Sequence, residues 1–248
     1  MNELILKKLV LTEGPLTGQF VEGIESVTGG SIHKTWRLRL SNGQKVFAKT
    51  SKEEDIGMLE FEAQGLTKLK EFANSSFLEI PQPLAIKKLS GTAVLLLPWL
   101  SLNNGNQSSL GRGLALIHKN SAANNPGKFG WGTDGFIGAG PQPGGWRQSW
   151  GECFTSLRLL PQIKLAAKWG LEQSKNKLLL NKLIPFLDAH QPKPSLVHGD
   201  LWSGNASVTE KGLGILIDPA CWWADREVDL AMTKLFGGFS ADFYTAYE

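Results

Sequence analysis

Cysteine is scarce in this sequence, with only Cys153 and Cys221 among 248 residues. Two thiols cannot build a disulfide framework, and their separation fits no zinc-ligand spacing. Histidine is nearly as rare, and His33, His118, His190 and His198 stand at intervals that suit no metal site. A dominant charge is missing as well. Lys and Arg total 26 against 23 Asp and Glu, a formal charge of +3, and the basic residues are scattered. That removes the electrostatic argument for a nucleic-acid or membrane partner. No Walker A motif is present. Residues 130–135 formally match G-x-G-x-x-G, but glycines and prolines follow where a dinucleotide site needs a helix. The opening stretch to Leu11 is too short and too charged, around Lys7 and Lys8, for a signal peptide or a spanning helix. A reducing cytoplasm is the expected setting.

What remains is an ordinary globular composition, 42% hydrophobic and 20% charged, long enough for one large domain or two lobes around a cleft. Nine tryptophans are many, and such side chains are expected to line a core or a pocket.

Strand signals fill the first hundred residues. Val21 to Val27 alternates weakly and stops at the Gly29-Gly30 turn signal. Trp36, Leu38 and Leu40 alternate with Arg37 and Arg39, the period of a half-buried strand. Asn42-Gly43 predicts a tight hairpin of the primed type, with 45–49 as the return strand. From Asp55 to Phe72 the period changes, placing Ile56, Leu59, Ala63, Leu66 and Leu69 on one helical face. Strands are expected again at 84–88 and 93–97, the second ended by Pro98.

Downstream the pattern is mostly helical. Leu110, Leu114 and Ile117 share a stripe, and residues 126–146 read as a Gly/Pro-rich loop. A helix restarts through Trp146, Trp150, Phe154 and Leu157 and breaks near Pro161, and another spans 171–187. The predicted fold class is α+β with two lobes. A small antiparallel β-rich lobe with one helix occupies residues 1–98, and a larger, mainly helical lobe occupies 99–248. Ligands prefer the cleft between such lobes.

Chemistry concentrates in residues 197–219. Asp200 and Asn205 lie five apart in Val-His-Gly-Asp-Leu-Trp-Ser-Gly-Asn, and Asp218 closes the apolar run Ile215-Leu216-Ile217. That is the spacing of a kinase catalytic loop, in which the Asp accepts a hydroxyl proton while the Asn and a second Asp hold Mg²⁺ over the phosphates of ATP. Hard Mg²⁺ suits carboxylate and amide oxygens. Lys49 ends its strand like a phosphate-reaching kinase lysine. Glu62 lies on the apolar face of the next helix, unlike Glu60, and a carboxylate there needs a cation, so an ion pair with Lys49 is predicted. Gly29, Gly30 and Ser31 stand where a backbone loop would cover phosphate. His198 is expected to brace the catalytic loop rather than act as a base.

These residues resemble a known family. His-Gly-Asp-Leu-Trp-Ser-Gly-Asn (198–205), Ile-Asp-Pro-Ala (217–220) and Asp-Arg-Glu-Val-Asp-Leu-Ala-Met (225–232) are joined by Gly-Gly-Ser-Ile-His-Lys-Thr-Trp (29–36), Phe-Ala-Lys (47–49), Leu-Ala-Leu-Ile-His (114–118), Phe-Gly-Trp (129–131) and Pro-Gln-Pro (141–143). Together they are similar to the fructosamine (ketosamine) kinases, which belong with the aminoglycoside phosphotransferases in the protein-kinase-like superfamily. The resemblance implies a two-lobed kinase-like fold, ATP and Mg²⁺ as cofactors, and a small-molecule or protein-bound ketosamine phosphorylated at its 3-hydroxyl in deglycation repair. It implies that Asp200 deprotonates the hydroxyl and that Trp99, Leu100 and Ser101 belong to the linker meeting adenine. On the same resemblance Trp202 and Trp222 could stack on the sugar or its aglycone, with core packing as the alternative. A kinase of another hydroxylated metabolite, aminoglycoside- or choline-like, and a non-catalytic pseudokinase stay open. Family members usually continue into further helices, so the chain is expected to lack its last ones.

Overall fold

The computed structural model describes residues 2–9, 14–27, 32–170 and 176–248. Gly29, Gly30 and Ser31 lie outside the described residues. A short helix α1 (Asn2–Leu6) precedes β1 (Val21–Val27), β2 (Lys34–Leu40) and β3 (Lys45–Lys52). Helix α2 (Ile56–Phe72) follows, then β4 (Leu78–Glu79), β5 (Ala85–Leu89) and β6 (Thr92–Pro98).

Five of these strands form one antiparallel sheet in the order β1-β2-β3-β6-β5. Its most buried strand is β6, whose run Thr92–Leu97 is buried on both faces. Side-chain alternation sends Val94 and Leu96 into a cluster with Leu6, Leu9, Leu38, Leu40 and Val46, while Ala93, Leu95 and Leu97 face the other way. That second face packs on the α2 stripe of Leu59, Ala63, Leu66 and Leu69, which is the predicted set apart from the half-buried Ile56. Each fully buried leucine contributes about 2 kcal/mol of transfer free energy.

One turn differs from its sequence reading. A primed hairpin needs positive φ at two residues, but Gly43 alone takes it, at 81°, and Asn42 does not. Gly43 N–H donates to Leu40 O at 2.8 Å and Leu40 N–H to Gln44 O at 2.9 Å, giving a three-residue loop. Such a loop requires a single left-handed residue, and glycine fills it.

The C-terminal part begins with β7 (Leu102–Asn103) and α3 (Ser108–Ala123). Residues 126–146 are not a structureless loop. They fold into β8 (Phe129–Trp131), β9 (Gly135–Ile137), β10 (Gly140–Gln142) and β11 (Gly145–Arg147). Strands of three residues are too short to display a period. Nor is the next helix broken at Pro161, since α4 (Trp150–Phe154) runs through a π turn at Thr155–Leu159 into α5 (Leu160–Ala166). Pro161 has no N–H for the Leu157 carbonyl, and the Arg158 side chain bonds that carbonyl instead at 3.0 Å. Trp146 belongs to β11, not to the helix.

Helix α6 (Asn176–Asp188), β12 (Ser195–Val197), β13 (Ala206–Thr209), β14 (Gly214–Leu216), β15 (Trp222–Ala224), α7 (Glu227–Phe236) and α8 (Ala241–Tyr247) complete the chain. Two four-stranded sheets, β11-β8-β15-β12 and β4-β14-β13-β7, bracket the segment from 197 to 222. Successive residues of β15 serve different cores: Trp223 joins the cluster under α2 and α3, and Trp222 joins Trp150, Cys153 and Leu157. Cys221 belongs to the first cluster and Cys153 to the second. The observed class is α+β, with an antiparallel sheet in the N-terminal region and a helical C-terminal part. Among the described residues no helix is long and apolar enough to cross a membrane.

Candidate active site

The buried strand β12 delivers His198, and the chain then turns sharply at Gly199, where φ is 81°. A Cβ at Gly199 would lie 2.1 Å from the Ala220 carbonyl oxygen, so this approach of loop to loop requires glycine. Both ring nitrogens of His198 are engaged. Nε2–H donates to the Ile217 carbonyl at 2.9 Å, and Nδ1 accepts from the Asp200 amide at 3.3 Å. Burial, countered by neighbouring carboxylates and the Ile217 bond, lowers the pKa of His198 and keeps it neutral. It is a brace, as the sequence suggested.

The loop is pinned from beneath by Asp229 on α7, which is fully buried. Its two oxygens accept the amides of His198, at 2.7 Å, and Gly199, at 2.9 Å. His118 of α3 lies 3.1 Å from Asp229 Oδ2, and its other ring nitrogen is 2.8 Å from the Tyr247 hydroxyl of α8. Burial alone would raise the Asp229 pKa, but His118, His198 and the Gly199 amide outweigh it and hold the carboxyl below its usual range. The sequence reading missed Asp229 and His118 as parts of the site. One available signal was that Asp229 and Thr233, four apart, occupy the buried side of an otherwise amphipathic helix.

Asp200 follows, half-buried at the cleft. Its Oδ2 and its backbone carbonyl accept the Asn205 side-chain amide at 3.0 and 2.9 Å. Burial raises the Asp200 pKa, and His198 and the Asn205 hydrogen bond oppose the rise without cancelling it. Because Asn205 uses its N–H groups on Asp200, its amide oxygen is the remaining ligand atom.

Across the cleft, Lys49 on β3 and Glu62 on α2 are 5% and 7% exposed. Lys49 Nζ is 2.9 Å from both Glu62 oxygens and also abuts Asp218 Oδ1. Asp218 has φ 55°, a left-handed conformation uncommon outside glycine, although aspartate adopts it more readily than most residues. Gly65 allows the Asp218 segment to reach α2, since a Cβ there would come 2.9 Å from the Pro219 ring. Asp218 Oδ1 is buried and accepts no hydrogen bond from the backbone or a neutral side chain.

One cavity is lined by Lys49, Glu62, Asp200, Asn205, Asp218 and Trp202 together. The Trp202 ring covers Gly204, faces Phe236 at 6.4 Å and is 41% exposed. Trp222 is not there. It is 3% exposed and packs on Trp150, 5.5 Å between centroids, with the Arg158 guanidinium 4.1 Å above it. The expectation that it stacks on a ligand is therefore corrected: strand alternation turns this side chain into the core. Trp99, Leu100 and Ser101 follow β6 directly and lie outside the cavity lining, with Trp99 held by Phe47 and Arg37. The cavity also takes in His33, Phe61 and Phe136, which the sequence reading did not assign to it. Phe136, on the β9–β10 hairpin, contacts Phe61 of α2 edge-on at 6.4 Å and so walls the cleft.

Comparison with known proteins gives consistent results. Residues 6–248 match the sequence model of the family described as Fructosamine kinase. A protein of Synechocystis sp. named "Probable ketoamine kinase" is 39% identical over 226 residues, 90% of this chain and 74% of its own length. The chloroplastic "Protein-ribulosamine 3-kinase" of Oryza sativa is 31% identical, covering 100% of this chain and 71% of its own. A crystal structure of a Haemophilus somnus protein described as "Putative fructosamine-3-kinase" superposes with a TM-score of 0.82 at 27% identity, over 93% of this chain and 77% of that one.

Proposed function

The chain belongs to the fructosamine kinase family, and we propose that it is an ATP-dependent kinase that phosphorylates the 3-hydroxyl of ketosamines, sugar adducts of lysine side chains or small amines. One observation carries the reading: Lys49, Glu62, Asp200, Asn205 and Asp218, drawn from distant parts of the sequence, converge on a single cavity. Phosphoryl transfer needs little covalent work from a protein beyond these placements.

The donor set suits Mg-ATP. Asn205 keeps a free amide oxygen and Asp218 brings a carboxylate to the same cavity beside Lys49, and two such protein ligands are what Mg²⁺ takes when phosphates complete its shell. When bound, Mg-ATP supplies the phosphoryl group and the cation that screens its charge. Lys49, fixed by Glu62, would hold the phosphates, and the Gly29-Gly30-Ser31 segment would cover them. Residues 1–98 would form the nucleotide lobe, with the backbone of Trp99, Leu100 and Ser101 meeting adenine, and residues 99–248 the catalytic lobe. Asp200 accepts the proton of the attacking hydroxyl, in an orientation set by Asn205 and by the amide anchors on Asp229. Trp202, exposed at the rim, would stack on the sugar or its amine. The setting is a reducing cytoplasm, which two free buried thiols suit. The 3-phosphate destabilises the adduct, so the reaction serves deglycation.

ADP release with fructosyl-lysine, ribulosyl-lysine and kanamycin as acceptors tests this. Turnover with either ketosamine and none with kanamycin is expected. Turnover with kanamycin alone, or ADP release with none of the three, would overturn the reading.

A further inference from the structure

His33 lines the same cavity from the position just before β2. The other three histidines are hydrogen-bonded: His118 to Tyr247 and Asp229, His190 to Asp225, His198 to Ile217 and Asp200. Among the described residues His33 has no hydrogen-bond partner, although its ring is half-buried. Its ring nitrogens are not fully buried; they open on the cavity, free to meet a ligand. The charged groups around it are Lys49 on β3, Glu62 on α2, and Asp55 in the turn before α2. Burial first, then Lys49, lowers its pKa, and Glu62 and Asp55 oppose that without prevailing. The ring is therefore neutral at neutral pH, with one N–H to donate.

We propose that His33 is a phosphate-binding residue that hydrogen-bonds the phosphate chain of the nucleotide beside Lys49; this rests on the kinase reading above. A phosphate supplies the acceptor oxygens the ring lacks, and Lys49 draws an anion to this corner of the cavity. The acceptor hydroxyl, by contrast, belongs beside Asp200. An arriving phosphate offsets the Lys49 charge and raises the His33 pKa.

The test is binding of the Mg²⁺ complex of a non-hydrolysable ATP analogue to the wild type, His33→Ala and His33→Gln, followed by calorimetry. His33→Ala should bind about tenfold more weakly, the loss of one hydrogen bond to a charged group, and His33→Gln, which keeps an N–H donor, should recover most of it. KM for ATP should rise more than kcat falls. In the wild-type protein, the ¹⁵N-imidazole resonances of His33 should shift, and its pKa rise, on adding the analogue but not on adding ketosamine alone. Unchanged affinity in His33→Ala, or resonances that answer only to ketosamine, would overturn the assignment while leaving the kinase reading intact. No binding of the analogue to the wild type would remove both.

Discussion

As the proposed base, Asp200 would trade stability for chemistry. Its carboxylate is half-desolvated, so its pKa is raised chiefly by burial. For a carboxylate the sign is unfavourable: above the raised pKa the ionised group costs stability that the unfolded chain does not lose. Asp200→Asn should therefore raise Tm at pH 7, by about one or two degrees, while lowering kcat by about 10² to 10⁴ and leaving ATP affinity nearly unchanged. Thermal melts, rate assays and calorimetry check the three arms. A variant retaining more than about a tenth of the rate would rule Asp200 out as the base. In the wild type the acid limb of kcat should fall above pH 3.8, the ordinary value for an aspartate. Asp200 itself was readable from spacing. Asp229, His118 and His33 were not, because their significance lies in neighbours distant in sequence, such as Tyr247 beside His118, 129 positions away.

Between elements, the decisive joint is β3 to α2. The helical period identified Glu62 rather than Glu60 as the residue facing inward, and the pair with Lys49 is present, buried on both sides. Asp218, the second carboxylate on Lys49, was not foreseen as its partner. It makes the joint asymmetric. Lys49→Ala strips the cation from two carboxylates, whereas Glu62→Ala leaves Lys49 with Asp218. In urea unfolding Lys49→Ala should cost about 3–5 kcal/mol and Glu62→Ala clearly less, with a coupling above about 0.5 kcal/mol in the double-mutant cycle. Equal costs without coupling would mean that the three groups act independently. Elements of seven residues or more, such as β2, β6 and α2, were legible because they run long enough to show a period. The three-residue strands between 129 and 147 and the π turn were not, since partners distant in sequence create them. The choice left open for Trp222, ligand stacking or core packing, falls to the core for a related reason: composition signals a buried aromatic, but only strand register decides which way it points.

For the molecule as a whole, acid sensitivity should begin earlier than carboxylate chemistry alone would give. His198 and His33 both have pKa values lowered from 6.5 by burial. Below pH 6.5 the unfolded chain takes up protons that the native state refuses, so stability falls with pH there. Asp229 behaves differently: its lowered pKa contributes stability above pH 3.8 that is lost only as pH drops further. Asp200, with its raised pKa, gains on acidification and partly masks the histidines. Tm measured in Asp200→Asn, which lacks that gain, should therefore decline as pH falls below 6.5, at least as steeply as in the wild type. A flat profile in that variant would show that the histidines titrate normally.

The two cysteines lie in different cores, Cys221 under α2 and Cys153 beside Trp150. Burial pushes the Cys153 thiol up to about 11 and raises that of Cys221 well above its ordinary value. In the native state neither offers a thiolate to a reagent at neutral pH. The chain thus carries two silent reporters, each released only when its own cluster opens. Under sub-denaturing urea, mass spectrometry of alkylated peptides should give a separate opening free energy for each core. If the cores open as one unit, both cysteines will be labelled at one rate. If the Trp150 cluster opens first, Cys153 will be labelled while Cys221 is still protected.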